Sequence, residues 1–250
     1  MNVEIDTILK QLRFRGMAET LENRLSQVKK NNLSYEEFLL LILQDELQRR
    51  DASAFLGRVK NAHFEEEKTV EGLQMERYPS KIQQQIHEVI SGHYLEQKHH
   101  LIISGPTGTG KTHLAQALGH HACRHGKKVQ FMRASILFRS LESSRADKSW
   151  EAKLKKLLIP DLLIIDDFGL KSLTHHQAED IYELIAERYL KKSIIVTSNR
   201  TVEAWVELFP DPVVANAALD RLSHRSNHII LDGPSYRRDN RISKGLTKDK

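Results

Sequence analysis

The chain has 250 residues, 40% hydrophobic and 6% aromatic, with a formal charge of +5. That length suits one or two packed domains, and the mild basicity permits a nucleic-acid partner without requiring one. The lone Cys123 excludes an intramolecular disulfide. No apolar run approaches the ~18 residues of a membrane span, and the opening MNVEIDTILKQLRFRG has neither the apolar core nor the cleavage site of a secretory signal, so a cytoplasmic protein is expected.

Ile5, Ile8, Leu9, Leu12, Met17, Leu21, Leu25 and Val28 recur at helical spacing. Gly16 is expected to break this run into two helices, and Asn31–Asn32 to form a turn. Ser34 and Glu37 form a capping box that starts a long helix through Phe38, Leu41, Ile42 and Leu47 toward Val59. Residues 1–65 are therefore expected to make a small all-α domain. Its basic faces are either solvated surface or a surface for DNA or a partner protein. Residues 66–79 lack periodicity and end in Pro79, as a linker does.

From Ser80 helices and strands alternate. Expected in order are a helix Lys81–Leu95, a strand Leu101–Ser104, a helix Thr112–His125 and a strand Val129–Arg133. Gly126 fits a helix C-cap before that second strand. A helical stretch Ala134–Leu158 follows, interrupted around Ser143–Ser149, and then a strand Leu162–Asp166. Thr174 and Gln177 suggest a capping box before a helix Ala178–Leu190. A strand Ile194–Ser198, a short helix Val213–Leu222 and a strand His228–Leu231 complete the series. Continuous apolar strands between helices predict an α/β fold with a five-stranded parallel sheet covered on both faces, over residues 80–235. Residues 236–250 are a basic tail. Cys123, beside Ala122 in a helix, suits a small buried hydrophobe.

Chemistry concentrates at the end of the first strand. Gly105, Gly110, Lys111 and Thr112 fit G-x-x-x-x-G-K-[ST], the phosphate-binding loop, in the required strand–loop–helix context. The glycines at 105, 108 and 110 admit backbone conformations closed to residues with a Cβ. Backbone N–H groups of Gly105, Pro106, Thr107, Gly108, Thr109, Gly110, Lys111, Thr112 and His113, as far as each has one, can then surround phosphates at a helix N-terminus. Lys111 would reach the β/γ-phosphates of ATP and the Thr112 hydroxyl would ligate Mg²⁺. Tyr78 and Pro79 are candidates for contact with adenine, or for simple packing. The strand LLIIDD ends in two carboxylates. Asp166 suits the Mg²⁺ shell, and Asp167 is placed to orient or deprotonate an attacking water. Asn199, ending IIVTSN, could hold that water or sense the γ-phosphate. Arg221, in ALDRL, is suited to spreading transition-state charge across a neighbouring subunit's phosphates, with Arg225 and Arg200 as alternatives.

These motifs, SGPTGTGKTHLA, LLIIDDFG, TSN and ALDRL with the closing GPSYR, resemble the AAA+ ATPases of the IstB and DnaC class over about residues 69–238. The N-terminal LKQLRFRGMAETLENRL and NNLSYEEFLLLILQDEL resemble the IstB transposition helpers in particular. The resemblance implies a DNA-binding ATPase that forms ATP-dependent rings or helical filaments on double-stranded DNA and recruits or stimulates a partner transposase. A replicative helicase loader is the alternative. It also implies that the helical insertion after the second strand faces DNA. Residues 124–156 carry ten Lys or Arg against three acids, and Arg139, Arg145 and Lys148 are the candidate contacts. The pair Asp166–Asp167 departs from the commoner Asp-Glu form, and a lid-borne sensor arginine is not expected, although Arg237 is available for another contact.

Overall fold

The computed structural model describes residues 3–233. The expected tail 236–250, Arg237 and GPSYR beyond Gly233 lie outside the described residues. The chain divides into two compact units, Met1–Gly57 and Arg58–Lys250.

In the first unit the helical spacing becomes α1 (Val3–Gln11), α2 (Arg15–Asn31) and the beginning of α3 (Tyr35–Ala62). The break between α1 and α2 falls at residues 12–14, not at Gly16, which lies in the first turn of α2. Gly16 serves close approach instead: a Cβ there would stand 2.6 Å from the Asp45 carbonyl oxygen. The buried Glu46 carboxylate accepts the N–H groups of Gly16 at 2.7 Å and Met17 at 3.3 Å, two donors that the helix start leaves without partners. The Ser34–Glu37 capping box is formed, with Ser34 N–H donating to Glu37 at 2.7 Å and Glu37 N–H to the Ser34 hydroxyl at 3.2 Å. Met17, Leu21 and Ile42 form the buried core of this unit.

The second unit runs through α4 (Ser80–Ile90), α5 (His93–Glu96), β1 (His100–Ser104), α6 (Lys111–Arg124), β2 (Val129–Arg133), α7 (Ala134–Ala146) and α8 (Trp150–Leu158). It continues with β3 (Leu162–Phe168), α9 (His175–Arg188), β4 (Ser193–Ser198), α10 (Pro212–Ser223) and β5 (Ser226–Ile230). All strand pairs are parallel, in the order β2-β3-β4-β1-β5. β1 and β4 are buried along their whole length, which explains the continuous apolar runs Leu101–Ile103 and Ile194–Val196 at their centres, in place of an alternating pattern.

Several boundaries differ from expectation. The helix expected over Lys81–Leu95 is split by Gly92 at φ 81°. β5 begins and ends earlier than His228–Leu231, because it pairs residue for residue with His100–Ser104 of β1. α9 starts at His175 behind the Thr174–Gln177 capping box and stops before Leu190, whose φ is 58°. α7 and α8 are separate helices, divided at residues 147–149. Residues 66–79 contain two 3₁₀ turns and bury Leu73 and Tyr78. The segment is held by Gln116, whose side-chain oxygen accepts the N–H groups of Glu65 and Glu66 at 3.0 Å each. Cys123 is buried, and that burial pushes its thiol up to about 11. Among the described residues no helix is long and apolar enough to cross a membrane.

Candidate active site

The parallel order brings the carboxyl ends of β1, β3 and β4 to one edge of the sheet, where such folds bind ligands. β1 leads into the glycine loop and α6. Gly105 adopts φ 144°, and a Cβ there would come within 2.1 Å of the Leu231 carbonyl oxygen. Only glycine satisfies both constraints. Gly108 and Gly110 also have positive φ, at 90° and 95°. Lys111 is buried at the start of α6, and its ammonium donates to the carbonyls of Gly105 and Pro106 at 2.8 Å each. The Thr109 hydroxyl donates to the same Pro106 carbonyl at 2.9 Å.

Behind the loop stands Asp166, 1% exposed at the end of β3. Its carboxylate accepts the Thr112 hydroxyl at 2.9 and 3.1 Å and the Thr197 hydroxyl at 2.6 Å. Burial pushes the Asp166 carboxyl above its usual range. The charge of Asp167 acts in the same direction, while the two hydroxyls act against it. A buried carboxylate beside a threonine hydroxyl is a hard-oxygen donor set of the kind that Mg²⁺ takes, so these residues fit such a cation.

A cavity of about 560 Å³ opens over the loop. Thr107, Gly108, Gly110, Lys111, Thr112 and His113 line it, together with Asp167 and Asn199. Gly105, Pro106 and Thr109 do not; they form the far side of the loop, which holds Lys111. The far wall comes from residues 66–78, where Tyr78 lines the cavity and Pro79 does not. Nε2 of His113 is buried without a hydrogen-bond partner, and burial lowers the imidazole pKa below its usual value.

The candidate arginines stand elsewhere. Arg221 donates to the Ala217 carbonyl at 2.8 Å and lies 5.3 Å from the Tyr182 ring centre. Neither it nor Arg200 or Arg225 lines the cavity. The three candidate DNA contacts separate into two kinds. Arg139 and Lys148 are exposed on α7 and the α7–α8 turn. Arg145 instead binds the buried Asp180 through Nε at 3.1 Å and Nη2 at 2.5 Å. An arginine that supplies the counter-charge of a buried carboxylate is held by the cost of leaving that carboxylate unpaired.

Sequence reading passed over Thr197. It is fully buried on β4, touches Asp166, and its hydroxyl oxygen accepts the Asp167 N–H at 3.0 Å. The signal was a hydroxyl residue directly after the apolar run Ile194–Val196, two positions before Asn199.

Solved structures with this fold include the DnaC helicase loader, with TM-score 0.53 and 22% identity over 70% of this chain and 99% of that one. A replication initiator DnaA bound to AMPPCP and single-stranded DNA matches with TM-score 0.59 and 20% identity, over 74% of this chain and 56% of that one. The fold is that of the AAA+ P-loop ATPases. Among sequence relatives, an insertion-sequence ATP-binding protein of Mycobacterium tuberculosis is 39% identical, covering 92% of each chain. The IS21 ATP-binding protein of Pseudomonas aeruginosa is 34% identical over 98% of this chain and 93% of its own. The model of the IstB-like ATP binding proteins matches residues 7–244. With the phosphate loop, the carboxylate pair and both kinds of similarity in agreement, this chain belongs to the IstB-like ATP-binding protein family of insertion sequences.

Proposed function

We propose that this protein is a DNA-binding ATPase of DNA transposition. It binds ATP with Mg²⁺ in the cavity over the glycine loop, assembles on double-stranded DNA as an ATP-dependent homo-oligomer, ring or helical filament, and recruits or stimulates a partner transposase. The observation that carries the ATPase reading is the joining of loop and strand: Thr112 is hydrogen-bonded to Asp166 while the adjacent Asp167 lines the cavity. The insertion-sequence relatives support the transposition role.

Thr112 and Asp166 would hold Mg²⁺, which when bound neutralises charge on the β- and γ-phosphates. Lys111 places its ammonium on the same phosphates. Asp167 orients a water and takes its proton as the water oxygen attacks the γ-phosphorus. The bond from that phosphorus to the bridging oxygen breaks, and ADP leaves. Asn199, exposed at the end of β4, contacts the water or the γ-phosphate. Arg221 has its own α10 and Tyr182 as neighbours and serves the site of an adjacent subunit, so hydrolysis depends on assembly. Arg139 and Lys148 contribute phosphate contacts to DNA.

The test combines ATP turnover with and without duplex DNA, electron microscopy of the assemblies, and capture of a purified insertion-sequence transposase. DNA-stimulated turnover and transposase capture are expected. No assembly on DNA with ATP would refute the proposal, and capture of a replicative helicase in place of a transposase would make the protein a loader.

A further inference from the structure

We infer that Thr197 is a positioning residue for ATP hydrolysis: its hydroxyl ties the buried Asp166 carboxylate to the backbone of Asp167 and thereby sets where the Asp167 carboxylate stands. This inference rests on the ATPase reading above.

The β3–β4 pairing explains why such a tie is needed. It is regular through Ile165 opposite Val196, and it resumes at Phe168 opposite Ser198. Three steps on β3 are thus matched by two on β4, which leaves one extra residue in β3. Bulges of this kind re-aim side chains beside active sites. Asp166 and Asp167 occupy the irregularity, and Asp167 has φ 57°. Left-handed backbone is uncommon for a residue with a Cβ, and aspartate is among those that tolerate it. At the irregularity the regular ladder is interrupted, and the Asp167 N–H is taken at 3.0 Å by the Thr197 side chain.

The hydroxyl's two roles are distinct. It has one proton, which it donates to Asp166 at 2.6 Å, and it accepts from Asp167 on a lone pair. Thr197 is wholly buried, so water cannot take either role without entering the core. Rotation of the Asp167 peptide would break the lone-pair bond and swing the carboxylate in the cavity wall. The short aspartate side chain has less reach to correct such a swing than a glutamate has.

Removing the hydroxyl while keeping the shape, Thr197→Val, is expected to lower kcat for DNA-stimulated hydrolysis about ten- to a hundred-fold, the effect of a small misplacement of a reacting group. KM for ATP, set mainly by the glycine loop, should change by less than about three-fold, since uniform binding is untouched. Thr197→Ser keeps both hydrogen bonds and should return kcat to within about three-fold of wild type. Should the valine variant fail to fold in a thermal melt, Thr197→Ala beside Thr197→Ser makes the same comparison. Wild-type kcat in the valine variant, a loss confined to KM, or a serine variant as impaired as valine would each overturn the inference while leaving the ATPase reading intact. A wild-type protein whose turnover equals that of Lys111→Ala would remove the ATPase reading and this inference together.

Discussion

Arg145 lies in the basic stretch 124–156, yet it is expected to act on stability rather than on DNA. Its guanidinium makes two hydrogen bonds to Asp180, whose side chain is 1% exposed, and stands 5.1 Å from the Trp150 ring centre. Trp150 Nε1 donates to the same Asp180 oxygen at 2.7 Å. Removing one partner of a buried ion pair costs ~3–5 kcal/mol. Arg145 is 34% exposed, so solvent screens part of the interaction, and the indole bond survives. These two effects reduce the expected cost of Arg145→Met to about 2 kcal/mol. For a domain of about 150–250 residues, that lowers the melting temperature by roughly 4–8 °C. Arg139→Gln and Lys148→Gln, at exposed positions, should leave the melt unchanged and instead reduce the log–log salt slope of duplex binding by roughly 0.9 each. The assays are thermal melting and duplex-binding titrations from low to moderate salt. A stable Arg145→Met protein with a reduced salt slope would refute the assignment of Arg145 to the fold. An unchanged slope in the Arg139 and Lys148 variants would remove this face as the DNA contact.

Asp167→Asn should retain ATP and DNA binding and lose about 10²-fold or more in turnover, as expected for loss of a general base; unchanged single-turnover hydrolysis would transfer that role elsewhere. Gly105→Ala places a Cβ against the Leu231 carbonyl at φ 144°, so a lower melting temperature together with weaker ATP binding is expected, and a wild-type melt would refute the close approach. Arg221→Ala should bind nucleotide as a monomer and lose ATP-driven assembly, with a rate loss of ~10³–10⁵ if the arginine acts in trans. Mixing it with Lys111→Ala subunits should recover activity that neither variant has alone, and co-assembled mixtures without recovery would exclude the trans role.

Particular residues show how much was legible in the chain. The loop Gly105–Thr112 could be read because phosphate binding by backbone demands glycine, lysine and threonine at fixed spacing over one short segment. The strands of LIIS, LLIID and IIVTS could be read because burial on both faces makes a strand apolar throughout. The capping boxes at Ser34 and Thr174 could be read because capping is local. Gly16 reads as a break in the sequence because its close approach to Asp45 spans 29 positions in the chain, and such proximity leaves no local mark. Arg145 was grouped with Arg139 and Lys148 because all three lie in one basic stretch. Its partner Asp180 comes from α9, beyond β3.

The sequence by itself therefore determined the fold class, the phosphate loop and the two carboxylates that follow it, since each depends on residues close together in the chain. Tertiary structure alone decided the strand order that sets β4 between β3 and β1. It also decided the placement of Thr197 against both aspartates, the separation of Arg221 from its own cavity, and the commitment of Arg145 to a buried partner. The Thr197 and Arg145 bonds are contacts between segments distant in the chain. Their energy comes from burial and from hydrogen bonds made only once the sheet and its helices have assembled, so no local pattern of residues encodes them.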